Sequence, residues 1–420
     1  LAGWSINKKI MKSFVTFRCA NDFFYFPKDR PADQLTNRQT IRPTMIITDT
    51  QIFALQIPFK SQFSHHPAVQ NTSESLLVAL ADDEGNTGYG ECTPRLQITG
   101  ETLEGTMAGL NMILDSWDGF ELNTIHDVAW LLDGTEGLER APSVRCALEL
   151  ALFDLLGKNT KQYVFDMMGE LQTEMLYYTA VISGETPTVI ESFARKAAAD
   201  KVRQVKLKVG NDAKINHQNL VLIQEILGES VEIRVSANAA WTLDEAVEHI
   251  KGLAEAGVFH IEQPLSPGGR EQWLALKKRI AAEVKICVDE SVCTYEDAVW
   301  LATRQAVHGF NLKISKHGGL LPAFDVYEQA KENGLFCQLG CQEGETSILS
   351  AAGRTFAFLT GDMRSCEGSY GTLLLEEDLT AQPLQIGFQG IGSLSEIQRA
   401  YGLGVAVDLS FVDPYLVKIL

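Results

Sequence analysis

Val205-Lys206-Leu207-Lys208, Arg234-Val235-Ser236-Ala237-Asn238, Ile261-Glu262-Gln263-Pro264, Cys287-Val288-Asp289-Glu290-Ser291 and Phe310-Asn311-Leu312-Lys313 follow one another along the chain at a near-constant step. Each is a short β-rich run that ends on a polar residue. The ends at 208, 236, 262, 289 and 313 are 28, 26, 27 and 24 residues apart. Helical text separates them, as at Leu243 to Ala256, Tyr295 to Arg304 and Leu320 to Asn333. Strand and helix alternating with this period predict a parallel sheet, and this many units predict a closed barrel. Further strand ends near Ile182 and Gly340 extend the series. An open doubly wound sheet is the alternative. It calls for a glycine-rich phosphate loop after its first strand, and Ile182-Ser183-Gly184-Glu185 does not supply one.

Upstream the pattern differs. Met45 opens a partly alternating run to Leu55, and Ser75 to Ala81 is a second apolar run. Asp83-Glu84-Gly85-Asn86 has turn chemistry, and Thr87 to Glu91 resumes as strand. Val144 to Leu156 carries apolar residues at helical spacing, followed by Gly157-Lys158. The fold expected is α/β, a modified (β/α)7β TIM-type barrel with an α+β N-terminal capping domain. Residues 45–170 form the cap with its lid loops and 171–368 the catalytic barrel. Residues 369–420 return to the cap, with turns at Gly390-Ile391-Gly392 and Gly402-Leu403-Gly404. Residues 1–44 read as an upstream extension outside the native product, so the functional chain is expected to start near Met45.

The chain has 420 residues, 45% hydrophobic and 21% charged, in the range of a folded globular protein of more than one domain. Its formal net charge of -18 repels phosphate backbones and anionic lipid, so neither nucleic acid nor membrane is an expected partner. No apolar run is long enough to span a bilayer. The eight cysteines are scattered, mostly in apolar text, and read as reduced thiols in a cytoplasmic protein. Cys337 and Cys341 have no second pair at metal-ligand spacing and read as packing.

In a barrel of this type the site lies where the strands end. Lys206 and Lys208 point to the same side of their strand, and each raises the cost of charging the other. One of them then becomes usable as a base. The plainer alternative is two solvated lysines at a strand edge. Glu262 and Asp289, one repeat apart, offer oxygen ligands suited to a hard divalent ion such as Mg2+, or Mn2+ in its place; a structural salt bridge is the alternative for either. Lys313 closes the sixth strand, roughly opposite the second. Lys208 and Lys313 then flank a central cavity, an arrangement for making and quenching an enolate.

The ordered series Lys-x-Lys, Glu-Gln-Pro, Asp-Glu-Ser and Lys-x-x-Lys-x-Gly-Gly resembles the muconate-lactonising subgroup of the enolase superfamily. Gly88-Tyr89-Gly90-Glu91, Thr99-Gly100-Glu101-Thr102 and Ala147 to Leu155 extend the resemblance over nearly everything from Met45 onward. The resemblance implies Lys208 and Lys313 as the acid/base pair, with Lys206 tuning Lys208 and touching the substrate carboxylate. It implies Glu262 and Asp289 as Mg2+ ligands and Asn238 as support. Glu290, Glu367 and His65 join the candidate set for support or substrate contact, with a salt bridge to Lys206 or Lys208 as the alternative for Glu367, and the loop from Phe59 to His66 is expected to close over the substrate.

One departure stands out. The family's third strand ends in Asp-x-Asn, where the Asp is a metal ligand, and here Ser236 holds that place. A neutral hydroxyl is expected to weaken the metal site, with the metal held through Glu262, Asp289, Ser236 and water; a very weakly bound metal or a loss of catalysis are the alternatives. The family reactions open to the chain are cycloisomerisation, racemisation or epimerisation of N-acylamino acids or dipeptides, and o-succinylbenzoate synthesis, a lyase reaction. Ser365-Cys366-Glu367-Gly368 lacks the Asp-x-Asp of well-known dipeptide epimerases, which puts the muconate cycloisomerase type first. The competing class is a non-catalytic binding protein with a degenerate metal site. The expected partner is a small-molecule carboxylate, with self-association into a homo-oligomer left open.

Overall fold

The computed structural model describes residues 45–63, 70–117, 119–184 and 186–420. The extension 1–44, His65 and most of the lid tip lie outside the described residues. No helix among the described residues is long and apolar enough to cross a membrane.

Three antiparallel strands, Met45–Phe63, Gln70–Asp82 and Thr87–Cys92, build the capping sheet. The chain's last strand, Leu416–Ile419, joins its free edge, pairing Phe53 with Ile419. The sheet packs on helix Pro142–Thr160, which is buried almost without a break from Ser143 to Gly157. A helix that is apolar all round belongs in an interior, and this one is wedged between sheet and barrel. Gly88 and Gly90 allow the close approach. A Cβ on either would strike the backbone of Ala151 or Ala147.

Seven parallel strands run side by side in chain order: Ala180–Ile182, Gln204–Lys208, Glu232–Ser236, His260–Glu262, Lys285–Val288, Gly309–Leu312 and Phe336–Leu339. Cys366 makes the closure. It bridges in parallel to Leu339 of the seventh strand and to Tyr178, just before the first. Backbone bonds from Glu367 N to Leu339 O (2.8 Å) and from Thr179 N to Cys366 O (2.8 Å) seal the ring. An open sheet would leave both edges free, so the molecule is a closed barrel with a one-bridge eighth strand.

Helices begin where side chains cap them. Thr242 with Glu245 and Thr294 with Asp297 form reciprocal capping boxes at Leu243–Glu255 and Tyr295–Thr303. Helix Leu320–Glu332 is started differently. The buried Glu149 of the linking helix accepts from the backbone N–H groups of Leu320 and Leu321. Gly319 stands at φ 120°, and a Cβ there would strike the Glu149 carboxylate. The Gly-Gly step after Lys316 is therefore the geometry that lets the capping domain's helix terminate the loop carrying Lys313.

Candidate active site

Register sets the site. Lys208 pairs with Ser236, and Ser236 with Glu262, so the three stand in one row across strands two, three and four. One row below, Lys206 pairs with Arg234. Asp289 and Lys313 each stand one residue beyond their strands. Lys206, Lys208, Asp289, Lys313 and Glu367 line one cavity of about 590 Å3. Strands two and six thus bring both lysines to a shared space.

The floor is an ion network. Lys206 Nζ donates to Glu262 Oε1 (3.1 Å) and Glu367 Oε2 (2.5 Å). Arg234 donates to Glu262 Oε2 (2.8 Å) and to Glu367 Oε1. Gln338 Nε2 also donates to Glu262 Oε2. All five side chains are buried. Burial alone drives a carboxyl up, but Lys206 and Arg234 outweigh it and hold Glu262 well below the usual carboxylate range. Burial likewise opposes the charge on Lys206, and Glu262 and Glu367 overcome it, so that ammonium is held on more firmly than usual.

The working ends differ from each other. Lys208 donates to Asn238 Oδ1 at 2.6 Å, and Asn238 in turn donates to Glu290 Oε1 at 3.2 Å. Burial and then the neighbouring Lys206 push the Lys208 amine below its usual value. The mutual repulsion expected from Lys-x-Lys is thus present but comes second to burial. Lys313 pairs with Asp289 Oδ2 at 2.6 Å. There burial is overcome by Asp289 and Glu290, and the Lys313 ammonium is stabilised. Asp289 falls to about 2 because Lys313 and Lys316 outweigh its own burial. The two lysines are shifted in opposite directions.

Three participants were not singled out in the sequence. Arg234 could have been found by strand alternation, since it lies two residues before Ser236 on the same face. Lys316 is fully buried, donating to Asp289 Oδ1 (2.9 Å), Asp289 O (2.8 Å) and Asn311 O (2.8 Å). Gln338 carries no local signal, being one apolar-run residue among others on strand seven. The Thr346-Ser347 turn opens helix Ser347–Thr360. Its N–H groups are taken by Glu91 and Asp378, so it caps a helix and has no room for a ligand.

Residues 189–411 match the family described as enolase C-terminal domain-like. The chain belongs to the enolase superfamily. A curated relative, the L-Lys-D/L-Arg epimerase of Methylococcus capsulatus, is 31% identical over 322 residues, covering 73% of this chain and 86% of its own. A dipeptide epimerase from Enterococcus faecalis, solved with Mg and the dipeptide L-Leu-L-Tyr, superposes with TM-score 0.78 at 24% identity, covering 86% of this chain and all of that one. The muconate lactonizing enzyme of Pseudomonas putida gives TM-score 0.78 at 24% identity, covering 88% and 99%. Like these members of the superfamily, the chain is an enzyme of the isomerase kind.

The metal set expected from the sequence is two carboxylates, Glu262 and Asp289, with the neutral hydroxyl of Ser236. Among the described residues no group of three or more His, Cys, Asp and Glu stands close enough to hold a metal ion. Both oxygens of Glu262 and both of Asp289 already accept from protein cations. Ser236 is fully buried, and its hydroxyl has no hydrogen-bond partner. Neither Ser236 nor Glu262 is among the residues lining the cavity, whereas Asp289 is. Glu367, expected as a substrate contact, also has both oxygens occupied, by Lys206 and Arg234.

Proposed function

We propose that the enzyme moves a proton on and off the carbon next to a carboxylate, as a racemase or epimerase of an acylated amino acid or dipeptide. The observation that carries this is the opposite tuning of Lys208 and Lys313 around one cavity. Lys208, with its amine favoured, takes the α-proton as the C–H bond breaks and its electron pair moves into the carboxyl group. Lys313, an ammonium, gives a proton to the opposite face. The reverse sequence starts from the other stereoisomer with the roles exchanged.

The muconate cycloisomerase type, put first on the eighth-strand text, gives way to the epimerase alternative. That preference leaned on the lack of an Asp-x-Asp to hold a substrate ammonium. The epimerase relative at 31% identity supports the reverse ordering. Beyond the lysines the cavity is lined by Phe193, Val202, Leu374, Ile386 and Phe388. These five suit an apolar acyl or side-chain group, while Lys196, Asp200 and Glu343 on the same wall leave room for polar contacts.

The test is solvent exchange. Candidate N-acylamino acids and dipeptides are incubated with the protein in D2O and followed by NMR and chiral chromatography. Deuterium at the α-carbon together with the opposite stereoisomer is the expected result. Turnover of a muconate or lactone with no α-exchange in any amino-acid derivative would sink the proposal.

A further inference from the structure

We propose that this pocket binds its substrate carboxylate, and carries the charge of the enolate made from it, with ammonium groups alone and without a divalent cation. The proposal rests on the proton-transfer chemistry assigned above and concerns how that chemistry is charged.

The reasoning starts from donors and acceptors. A cation site needs oxygen lone pairs left over, and an anion site needs N–H groups left over. Of the four carboxylates around the lysines, Glu262, Asp289 and Glu367 each have both oxygens occupied by protein cations. Glu290 keeps one oxygen without a partner, and Ser236 keeps its hydroxyl. Those two orphans are a single carboxylate oxygen and a neutral hydroxyl, and neither residue lines the cavity.

The cavity wall has the opposite surplus. An ammonium has three N–H donors. Lys313 spends one on Asp289, Lys208 spends one on Asn238, and Lys206 spends two on Glu262 and Glu367. All three line the cavity, so beside the lining carboxylates Asp200 and Glu343 the open space offers unspent N–H donors.

Charge gives the same answer. With Lys208 as the amine, Lys206, Arg234, Lys313 and Lys316 balance Glu262, Asp289, Glu290 and Glu367 before any ion is added. An Asp at 236 would have added an unpaired anion, and a dication would then have had a reason to enter. With Ser236 a dication adds unpaired positive charge to a balanced network in a buried setting, where it is costly. The enolate of a carboxylate is a dianion, and Lys208 becomes an ammonium by taking the proton. Lys206, Lys208 and Lys313 then surround the dianion at the moment its charge is largest.

The experiment uses the full chain, freed of metal with excess chelator. Mn2+ binding is measured by electron paramagnetic resonance and calorimetry on the natural protein and on Ser236→Asp. The natural protein is expected to bind no Mn2+ up to millimolar concentration, and Ser236→Asp to bind at least about tenfold more tightly, ~1.4 kcal/mol. Micromolar Mn2+ binding by the natural protein overturns the proposal, and that measurement alone decides if the variant fails to fold. In parallel, binding of N-acetyl-L-leucine is followed in excess EDTA and in excess Mg2+. Equal affinity is expected, and a gain of about tenfold or more with Mg2+ counts against it. The D2O assay separates the two ideas. α-Exchange that requires Mg2+ keeps the proton-transfer function and removes this inference. Absence of exchange under both conditions, with no Mn2+ bound, does the reverse.

Discussion

Lys206 on the second barrel strand and Glu367 at the eighth are joined at 2.5 Å beneath the cavity, and both are buried. Glu367 holds Arg234 with its other oxygen, so one carboxylate fastens strands two and three to the seam where the barrel closes. Removing it leaves two buried cations with one shared partner, Glu262. Breaking a buried pair in this way costs about 3–5 kcal/mol. Glu367→Ala is therefore expected to lower urea stability by that order, with Glu367→Gln losing less because it keeps an acceptor. A change within error for Glu367→Ala would show that the network is slack.

In the proposed reaction Lys208 and Lys313 act on opposite faces of one carbon. Lys208→Ala is expected to stop α-exchange from one stereoisomer and Lys313→Ala from the other, each by roughly 10²- to 10⁴-fold. Wash-out of isotope from each pure isomer measures this. Equal loss from both isomers in both variants would mean that the lysines only bind.

Gly319 holds φ 120° against the Glu149 carboxylate. An alanine there meets both a left-handed backbone and an occupied space. Gly319→Ala is expected to cost about 1–3 kcal/mol from the backbone conformation alone. Thermal unfolding checks the stability. A fall in the exchange rate per folded molecule would trace the effect to the placement of Lys313.

Burial raises the Glu345 carboxyl to about 8. A carboxyl whose folded value lies above its unfolded one adds stability that is fully present below the unfolded value. That stability is lost as pH rises through the folded one. Melting temperature is thus expected to fall as pH rises from about 5 to about 8, most steeply midway between the unfolded and folded values, and to fall less in Glu345→Gln. Identical slopes in both proteins would exclude Glu345 as the source.

Much of this was legible in the sequence because strand ends are marked twice, by apolar runs and by the charge that stops them. The constant βα period gave the barrel, and Lys-x-Lys gave two amines on one side. Helix starts at Leu243 and Tyr295 were readable from the threonine caps before them. What could not be read was partnership. A salt bridge from Glu367 to Lys206 is open from the sequence, but nothing local says that Glu367 also takes Arg234, or that Gln338, far downstream of Arg234, completes the same network. The loss at position 236 was visible as a letter. Its consequence, carboxylates already filled by cations, needed coordinates.

The capping sheet is completed by Leu416–Ile419 on its outer edge, while its first strand begins at Met45. The barrel is therefore spliced into another domain's sheet. On the ribosome that sheet must wait, one edge bare, until Leu416–Ile419 emerges. Deleting that strand should expose the edge and favour sticking between chains long before it touches the chemistry.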